Sequence, residues 1–342
     1  MSFRKWLYDT IFDDRFRAWA DRTRYRCALL PRVNPASTTS TEVTCSSTIA
    51  RRAYIVVSAD LELAWAWRYA KSALDPLVYA THKAEQSRRN FSTLLALFDR
   101  YGVPVTWATV GHLFLENCSR DNGRAHPEVG RLPYFENRYW RYRYGDWFDA
   151  DPCSDYIADS AWYGPDLVRA ILGANVKHEV ACHSFSHIDF SDGTCPPEVA
   201  DSDLGRCREI AREWGLEMRS FVFPGNMVGN LPSLKRHGFT AYRYHNGYEL
   251  DVPRRDEVGL WQIPGGVSWE KPEGWPVQAW VGALQRCVDL AVETGAVLHL
   301  WFHPSCESLN VEMVFPAVLD YLSHYRSDLI ITTVGRVVEA AS

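Results

Sequence analysis

Short apolar runs alternate with amphipathic helical patterns from residue 53 onward, and this alternation restricts the fold more than any other feature of the chain. The first run, Tyr54-Ile55-Val56-Val57, is typical of a strand that is buried on both faces. Residues 89–101 place apolar side chains on one helical face and are followed by Gly102, a residue that commonly ends helices. Repeated strand–helix units predict parallel strands covered by helices, and their number favours a barrel over an open sheet. We therefore predict an α/β fold, a distorted (β/α) barrel of about seven parallel strands.

The same pattern continues along the chain. Further strands are predicted at residues 103–110, 179–182, 221–223, 240–243, 259–263, 297–302 and 329–333. Further helices are predicted from residue 165 and at residues 196–214, 231–237, 276–294 and 311–326. In such folds the chemistry lies at the C-terminal ends of the strands, so the polar residues that follow the strands are the candidates for a site.

Composition excludes several classes of function. The chain has 342 residues, of which 46% are hydrophobic, enough to bury a large single core. Its net charge of −5 comes without a basic stripe, so we expect no nucleic acid polymer as a partner. Nine cysteines without a CxxC pair are typical of reduced thiols in a cytoplasmic protein. Neither a signal-peptide pattern nor a run of about eighteen apolar residues is present, which also favours the cytoplasm.

The N-terminal region is predicted to form a separate extension. Residues 3–19 have the apolar spacing of an amphipathic helix, which would pack on the body of the protein, pack on a second subunit in a homodimer, or rest on a membrane surface. Residues 35–48 are rich in Ser and Thr and are typical of a linker. We therefore divide the chain into an extension with its linker, residues 1–52, and a main domain, residues 53–342.

Residues 118–162 interrupt the strand–helix rhythm. They carry many Tyr, Trp, Arg and Asp residues with little periodicity. So long a connection is either a functional lid or a structural insertion. In the first case, the substrate contacts are expected from Trp140, Tyr142, Trp147, Asp149 and Asp151.

Polar residues follow four of the predicted strands, where one rim of a barrel would gather them. A pair of imidazoles four residues apart, His183 and His187, can point at a single cation. Taken singly, each group also has an ordinary structural explanation as a helix cap, a core hydrogen bond or a turn. The groups are Asp60 with Glu62, His183 with His187, Pro224-Gly225-Asn226, and His303.

These residues resemble, in kind and in order, the motifs of the polysaccharide deacetylases of carbohydrate esterase family 4. Ser58-Ala59-Asp60-Leu61-Glu62 is similar to the first motif, an acidic pair, although Leu61 separates the two acids here. His183-Ser184-Phe185-Ser186-His187 matches the second motif, H-[ST]-x-x-H. Leu300-Trp301-Phe302-His303 fits the fifth, L-x-x-H. The third motif, R-x-P-x, is matched only in part around Pro224, and Phe221 stands in place of the Arg that commonly holds the catalytic acid.

The resemblance, which covers residues 53–334, implies a metal-dependent hydrolase that removes an N-acetyl or N-formyl group from an amino sugar. It implies that Glu62, His183 and His187 bind one divalent metal. Zinc is the first choice, and nickel, cobalt or manganese would suit the same ligands. His303 would protonate the leaving amine, and a carboxylate would take a proton from water. Backbone N–H groups around Pro224 and Asn226 would complete an oxyanion site.

Geometry separates the roles of the two acids. Residues i and i+2 of an extended stretch face the same side, so Asp60 and Glu62 reach one cavity. Glu has one more methylene, so we expect Glu62 to bind the metal and Asp60 to act as the base. Arg243 and Trp261, both at ends of predicted strands, are expected to line the same pocket.

The substrate stays open at this level. Without a secretion signal, a nucleotide-linked sugar, a lipid-linked sugar or a small N-acyl compound is more natural than a cell-wall polymer. The aromatic and Arg-rich insertion favours an anionic ligand with a ring, such as a sugar phosphate. Two alternatives are an amidase acting on a non-carbohydrate C–N bond and a glycan-binding domain without turnover.

Overall fold

The computed structural model describes residues 32–33, 52–143, 145–245, 249–325 and 327–341. The helix predicted at residues 3–19 and the linker predicted at residues 35–48 lie outside these ranges. Within the described ranges, no helix combines the length and the apolar character needed to cross a membrane.

A mixed sheet of ten strands forms the centre of the described part of the molecule. The strands are β1 Ala53–Leu61, β2 Thr106–Thr109, β3 Glu179–Cys182, β4 Ser220–Val222, β5 Ala241–Tyr244, β6 Arg254–Arg255, β7 Trp261–Pro264, β8 Val267–Ser268, β9 Val297–Phe302 and β10 Leu329–Thr332. Their spatial order is β6-β7-β5-β4-β3-β2-β1-β9-β8, and β10 pairs with β1 as well. Only the β6–β7 pair of this described sheet is antiparallel.

Strand β1 is the longest strand of the sheet and pairs with three other strands. Its first half pairs with β10 and its second half with β2, while β9 runs along its other side. Eight of its nine positions are buried, as expected for a parallel strand covered on both faces. The run of apolar residues seen in the sequence therefore belongs to a strand that is buried on both faces.

Seven helices are described, and they cover the sheet. They are α1 Pro76–Tyr101, α2 Pro165–Gly173, α3 Pro197–Glu213, α4 Leu231–Arg236, α5 Val277–Thr294, α6 Phe315–Ser323 and α7 Val334–Ala341. Helix α1 begins earlier than the apolar pattern predicts, because Asp75 caps it by accepting hydrogen bonds from the N–H groups of Leu77 and Val78. It ends at Gly102, which has the left-handed φ of 64° that favours glycine.

The predicted fold class is confirmed. The strands form a curled, mainly parallel sheet that helices cover, and β6 and β8 are the terminal strands of its order. The described sheet has more strands than the sequence predicts. Strands β6 and β8 contain two residues each, which is too short to give an alternating pattern in the sequence.

Residues 118–162, called here the aromatic segment, lie between a 3₁₀ turn at Gly111–Phe114 and α2. The segment contains two pairs of two-residue strands and many irregular stretches. Five of its large aromatic side chains are buried: Trp140, Tyr142, Trp147, Phe148 and Trp162. It is therefore a packed part of the molecule.

Candidate active site and metal centre

The two acids lie at the carboxyl end of β1, on the same side of the chain. Leu61, between them, is fully buried in the core, as the alternation of side chains along a strand requires. Oxygens of Asp60 and Glu62 and a ring nitrogen of His303 all lie within 4.8 Å of one another. The carboxyl ends of two neighbouring strands, β1 and β9, thus bring these three groups together.

The two histidines of the second motif are carried by a tight loop and not by a helix. Ser184 and His187 have left-handed φ angles of 67° and 55°. Asp203 of α3 fixes the loop by accepting hydrogen bonds from Ser184 Oγ at 3.0 Å and from the backbone N–H of Phe185 at 2.8 Å. Burial raises the pKa of Asp203 to about 6, against the effect of these donors. The loop conformation, held by this carboxyl group, is what aims both imidazoles at one place.

Three side-chain atoms meet at that place. Glu62 Oε1 lies 3.1 Å from Nε2 of His183 and 3.1 Å from Nε2 of His187. The Nδ1–H of His183 donates to the carbonyl oxygen of Val222 at 2.7 Å, so its Nε2 presents a lone pair to the carboxylate. Burial lowers the pKa of His187 to about 4, although Glu62 opposes the shift. A carboxylate oxygen and two imidazole nitrogens that meet at 3.1 Å fit a shared cation, so these residues suit a divalent metal.

Arg243, on β5, grips the other acid. Its Nη1 donates to Asp60 Oδ1 at 2.7 Å and its Nη2 to Asp60 Oδ2 at 2.6 Å. Burial alone would raise the pKa of Asp60, but the guanidinium group outweighs it and the pKa falls below its ordinary value. Asp60 is therefore ionised and fixed in orientation.

This arrangement corrects the expectation that Phe221 leaves the acid unsupported. In the register of β4 and β5, Val222 lies beside Arg243 and Phe221 lies beside Tyr242. Side chains alternate along each strand, so Phe221 faces the other side, where it packs among phenylalanine rings. The guanidinium group that Asp60 needs is supplied by the neighbouring strand.

A buried hydrogen-bond chain supports Arg243 from behind. Its Nη1 also donates to Ser58 Oγ at 3.0 Å, and the Ser58 hydroxyl donates to His299 Nε2 at 2.8 Å. The Nδ1–H of His299 donates in turn to the carbonyl oxygen of Pro264 at 2.9 Å. Burial, reinforced by the charge of Arg243, lowers the pKa of His299 to about 3, so this ring is neutral at pH 7. The indole of Trp301 lies 5.1 Å from the guanidinium carbon and closes the remaining face.

His303 is held on the opposite side of the acids by Glu270. Glu270 Oε1 lies 2.7 Å from His303 Nδ1 and also accepts the backbone N–H of His303 at 2.8 Å. The other ring nitrogen, Nε2, lies 4.0 Å from Glu62 Oε2. Burial lowers the pKa of His303, but the carboxylates of Glu270 and Glu62 outweigh it and raise the pKa to about 9. The ring is an imidazolium at neutral pH, with one N–H directed at the acids.

Two tryptophans of the aromatic segment contact residues 183–187, called here the histidine loop. The ring of Trp140 lies 5.1 Å from that of His187, and its indole N–H donates to the carbonyl oxygen of Ala66. The indole N–H of Trp147 donates to Ser186 Oγ at 3.1 Å. Residues 118–162 therefore pack directly against the loop that carries the candidate metal ligands.

Two residues expected in the pocket lie elsewhere. Trp261 is the first residue of β7, so it lies at the amino ends of the parallel strands, whereas the site lies at their carboxyl ends. Its ring stacks on the guanidinium of Arg255 at 4.5 Å. Asp151 is buried in a separate cluster, with its Oδ2 3.0 Å from a ring nitrogen of His112 and of His126. Neither side chain is placed to contact a substrate at Asp60.

One of the backbone N–H groups predicted to bind the acyl oxygen already makes a hydrogen bond within the protein. The backbone N–H of Asn226 donates to the carbonyl oxygen of Phe223 at 2.9 Å, so it is not free to bind an acyl oxygen. Pro224, which has no N–H, is buried, and the side chain of Asn226 is half-buried. Only that side chain keeps Asn226 among the candidates for substrate contact.

Several residues of the candidate site were not predicted from the sequence. Glu270 follows a strand of two residues, and Asp203 lies inside an amphipathic helix, where an acid is unremarkable in the sequence. Two others had a signal that could have been used: Ser58 and His299 are polar positions within otherwise apolar strands.

Comparison with known proteins supports the fold. No protein-family model and no curated protein matches the sequence. A structure from Mycobacterium smegmatis, classed as a polysaccharide deacetylase, is 15% identical, with a TM-score of 0.58 over 86% of this chain and 92% of that chain. A structure from Pseudomonas aeruginosa PAO1, of the same class, is also 15% identical, with a TM-score of 0.58 over 85% of this chain and 90% of that chain. The chain therefore has the fold of the polysaccharide deacetylases, as its motifs lead one to expect.

Proposed function

We propose that the protein hydrolyses the amide bond of an N-acylated amino sugar and releases the free amine. The observation that carries this proposal is the different setting of two adjacent carboxylates. Glu62 faces two imidazole nitrogens, whereas Asp60 is gripped by Arg243 and stays ionised beside them. One acid is placed as a ligand and the other as a base.

The proton transfers follow from the contacts and charges of Asp60 and His303. Asp60 takes a proton from water as the water oxygen adds to the acyl carbon. His303 gives its Nε2 proton to the nitrogen as the C–N bond breaks, so the products are a carboxylic acid and an amine. Exchange with solvent then restores both groups, because the pKa of Asp60 is lowered and that of His303 is raised to about 9.

A divalent metal bound by Glu62, His183 and His187 would polarise the acyl oxygen and lower the pKa of water toward about 7. Three protein ligands are typical of catalytic metal sites, because positions stay open for reactants. Two imidazoles with one carboxylate suit zinc first, and nickel, cobalt or manganese as well.

Aromatic rings beside His303 favour a sugar as substrate. Trp67 and Trp301, both partly exposed, lie 5.9 Å and 5.5 Å from the imidazole. Partly exposed indoles next to a catalytic group suit contact with the apolar face of a sugar ring. Lys83 lies 5.3 Å from the ring of Trp67 and adds a positive charge, which favours a phosphate-containing sugar, nucleotide-linked or lipid-linked.

Loss of the motif arginine, in whose place Phe221 stands, would favour the glycan-binding alternative. Arg243 removes that ground, because it provides Asp60 with two charge-assisted hydrogen bonds. An amidase acting on a non-sugar amide would use the same groups, so turnover must separate it from a sugar deacetylase.

A location in the cytoplasm stays part of the proposal, with residues 3–19 as a peripheral membrane contact or a homodimer contact. Flotation of the full chain with anionic vesicles tests the first role. Protein that stays with the soluble fraction and sediments as a dimer would favour the second.

The main test is turnover by metal-loaded protein. N-acetyl and N-formyl amino sugars are offered free, nucleotide-linked and lipid-linked, and the free amine is measured by mass spectrometry. Asp60→Asn should abolish turnover, and Asp320→Asn, on the exposed side of α6, serves as the matched control. Turnover of non-sugar amides alone would replace the proposal with the amidase, and glycan binding without any turnover would replace it with the binding domain.

A further inference from the structure

We propose that His112, Cys118, His126 and Asp151 bind a second metal ion, most suitably zinc, with a structural role. These four residues, called here the insertion cluster, lie apart from Glu62 and its histidines. His112 belongs to the 3₁₀ turn that follows β2, and the other three belong to the aromatic segment or its start.

The insertion cluster has the compactness of a metal site. Nε2 of His112 and Nε2 of His126 are 3.1 Å apart, and each lies 3.0 Å from Asp151 Oδ2. The thiol of Cys118 lies 3.5 Å from the same oxygen and 3.9 Å from His112 Nε2. In a tetrahedral zinc site the ligand atoms are roughly 3.2–3.8 Å apart, as follows from bond lengths of about 2.0–2.3 Å. A small movement would place one ion among all four.

The hydrogen bonds around the rings leave lone pairs pointing inward. The Nδ1–H of His112 donates to the carbonyl oxygen of Trp162 at 3.2 Å, which leaves Nε2 without a proton in the neutral ring. Nδ1 of His126 lies 3.5 Å from Glu128 Oε1, which orients that ring in the same way. Two imidazole lone pairs and a carboxylate oxygen then face one another in a buried space. Without a cation, an additional buried proton must separate them.

Further contacts orient the carboxylate and the thiol. Asp151 Oδ1 accepts the backbone N–H of Cys153 at 2.9 Å, so Oδ2 is the oxygen left for the ion. The hydroxyl of Tyr163 accepts the N–H of Ser154 and lies 3.1 Å from Cys118 Sγ and 3.3 Å from Asp151 Oδ1, so its proton is directed at these two ligands. In metal sites, the residues that bind the ion are regularly oriented by such hydrogen bonds from neighbouring groups.

The donor set indicates the role. Two imidazoles, a thiolate and a carboxylate fill the four positions of a tetrahedral zinc ion and leave none for substrate, as in structural sites. Glu62, His183 and His187, in contrast, supply three donors. The insertion cluster joins the aromatic segment to the 3₁₀ turn, whose N–H groups of Gly111 and His112 donate to the carbonyl oxygens of Ser184 and Phe185. A bound ion would thereby hold the aromatic segment against the histidine loop.

Cobalt substitution separates the two sites, because only the insertion cluster contains a thiol. The metal-free full-length protein is titrated with Co²⁺, and the absorption due to thiolate-to-cobalt charge transfer is recorded together with the bound metal. We expect one ion for each cluster and a charge-transfer band. Cys118→Ala should lose the band and one ion, whereas His183→Ala should lose one ion and keep the band. Cys153→Ala, which removes a neighbouring, partly buried thiol, should behave as wild type.

The outcomes are decisive even if a variant fails to fold, which circular dichroism would show. If Cys118→Ala does not fold, the spectrum of His183→Ala decides: one ion with the band supports the proposal. No band in wild type, a band that persists in Cys118→Ala, or a single ion that is lost in His183→Ala would overturn it. None of these readouts depends on turnover, so the result is independent of the proposed reaction.

Discussion

Replacing Arg243 with Met isolates the contribution of the buried ion pair to stability. Both partners are buried, and the guanidinium makes hydrogen bonds of 2.7 Å and 2.6 Å to Asp60 and one of 3.0 Å to Ser58. Met keeps most of the apolar stem, so the main loss is the charge that faces Asp60. Removing one partner of a buried pair costs about 3–5 kcal/mol, which is the expected decrease in the free energy of unfolding at pH 7.

The pH dependence gives this prediction its sign. The pKa of Asp60 is lowered in the folded protein, so the pair contributes stability above the unfolded pKa of about 3.9 and loses it as pH falls further. The difference between wild type and Arg243→Met should therefore be largest near pH 7 and shrink below about pH 4. Because the base is no longer held in place, kcat should fall on the order of 10²-fold.

Urea unfolding of both proteins at matched metal content measures the effect. Arg255→Met is the control, because that guanidinium stacks on Trp261 at the exposed end of the sheet, and its change should stay within about 0.5 kcal/mol. A loss below about 1 kcal/mol for Arg243→Met, equal at pH 7 and pH 4, would refute the reasoning, since the two charges would then not depend on each other.

Three further predictions concern the acids, the acid catalyst and the loop. Asp60→Asn should keep metal and lose turnover, whereas Glu62→Ala should lose metal; metal lost from the first and kept by the second would show that the roles are reversed. Burial lowers the pKa of His303 but Glu270 raises it, so activity should fall as pH rises through that raised pKa, and Glu270→Gln should move the fall to lower pH; an unchanged pH–rate profile would exclude His303 as the acid. Asp203→Asn should weaken zinc binding by about 10-fold through the histidine loop, while Asp201→Asn on the same helix, bonded to Arg236 at the surface, should not; equal zinc affinities in an isothermal titration would remove the positioning role.

The parts of the fold and site that the sequence predicts are those encoded within a few residues. The apolar run of β1 identifies a buried parallel strand, and the spacing of Asp60 and Glu62 places both at its carboxyl end. His183 and His187 also share one target, although a left-handed loop and not a helix brings them there. Local pattern is sufficient in these cases because the residues are neighbours in the chain.

What the sequence does not predict depends on pairing between distant strands. Arg243 was expected to line the pocket, but its contact with Asp60 spans 183 positions of sequence, and only the arrangement of β5 in the sheet shows that it takes over the function expected at the third motif. Trp261 was expected in the pocket because it lies at a strand end, but the direction of β7 places it at the opposite end. The insertion cluster was also missed. Its four members are spread over the residues from His112 to Asp151, so no local pattern brings them together.

The contacts also explain why Asp60 and His303, less than 5 Å apart across Glu62, do not simply neutralise each other. Each has a partner of opposite charge on its outer side: Arg243 for Asp60, and Glu270 for His303. Those partners bind the two oxygens of Asp60 and the Nδ1 of His303, so the Nε2 proton of His303 is the one directed inward. A divalent metal held by Glu62, His183 and His187 would make the transfer of that proton to Asp60 less favourable, because a nearby cation stabilises carboxylates as anions. The acid and the base can therefore keep opposite protonation states at one pH, which is the condition that the proposed amide hydrolysis requires.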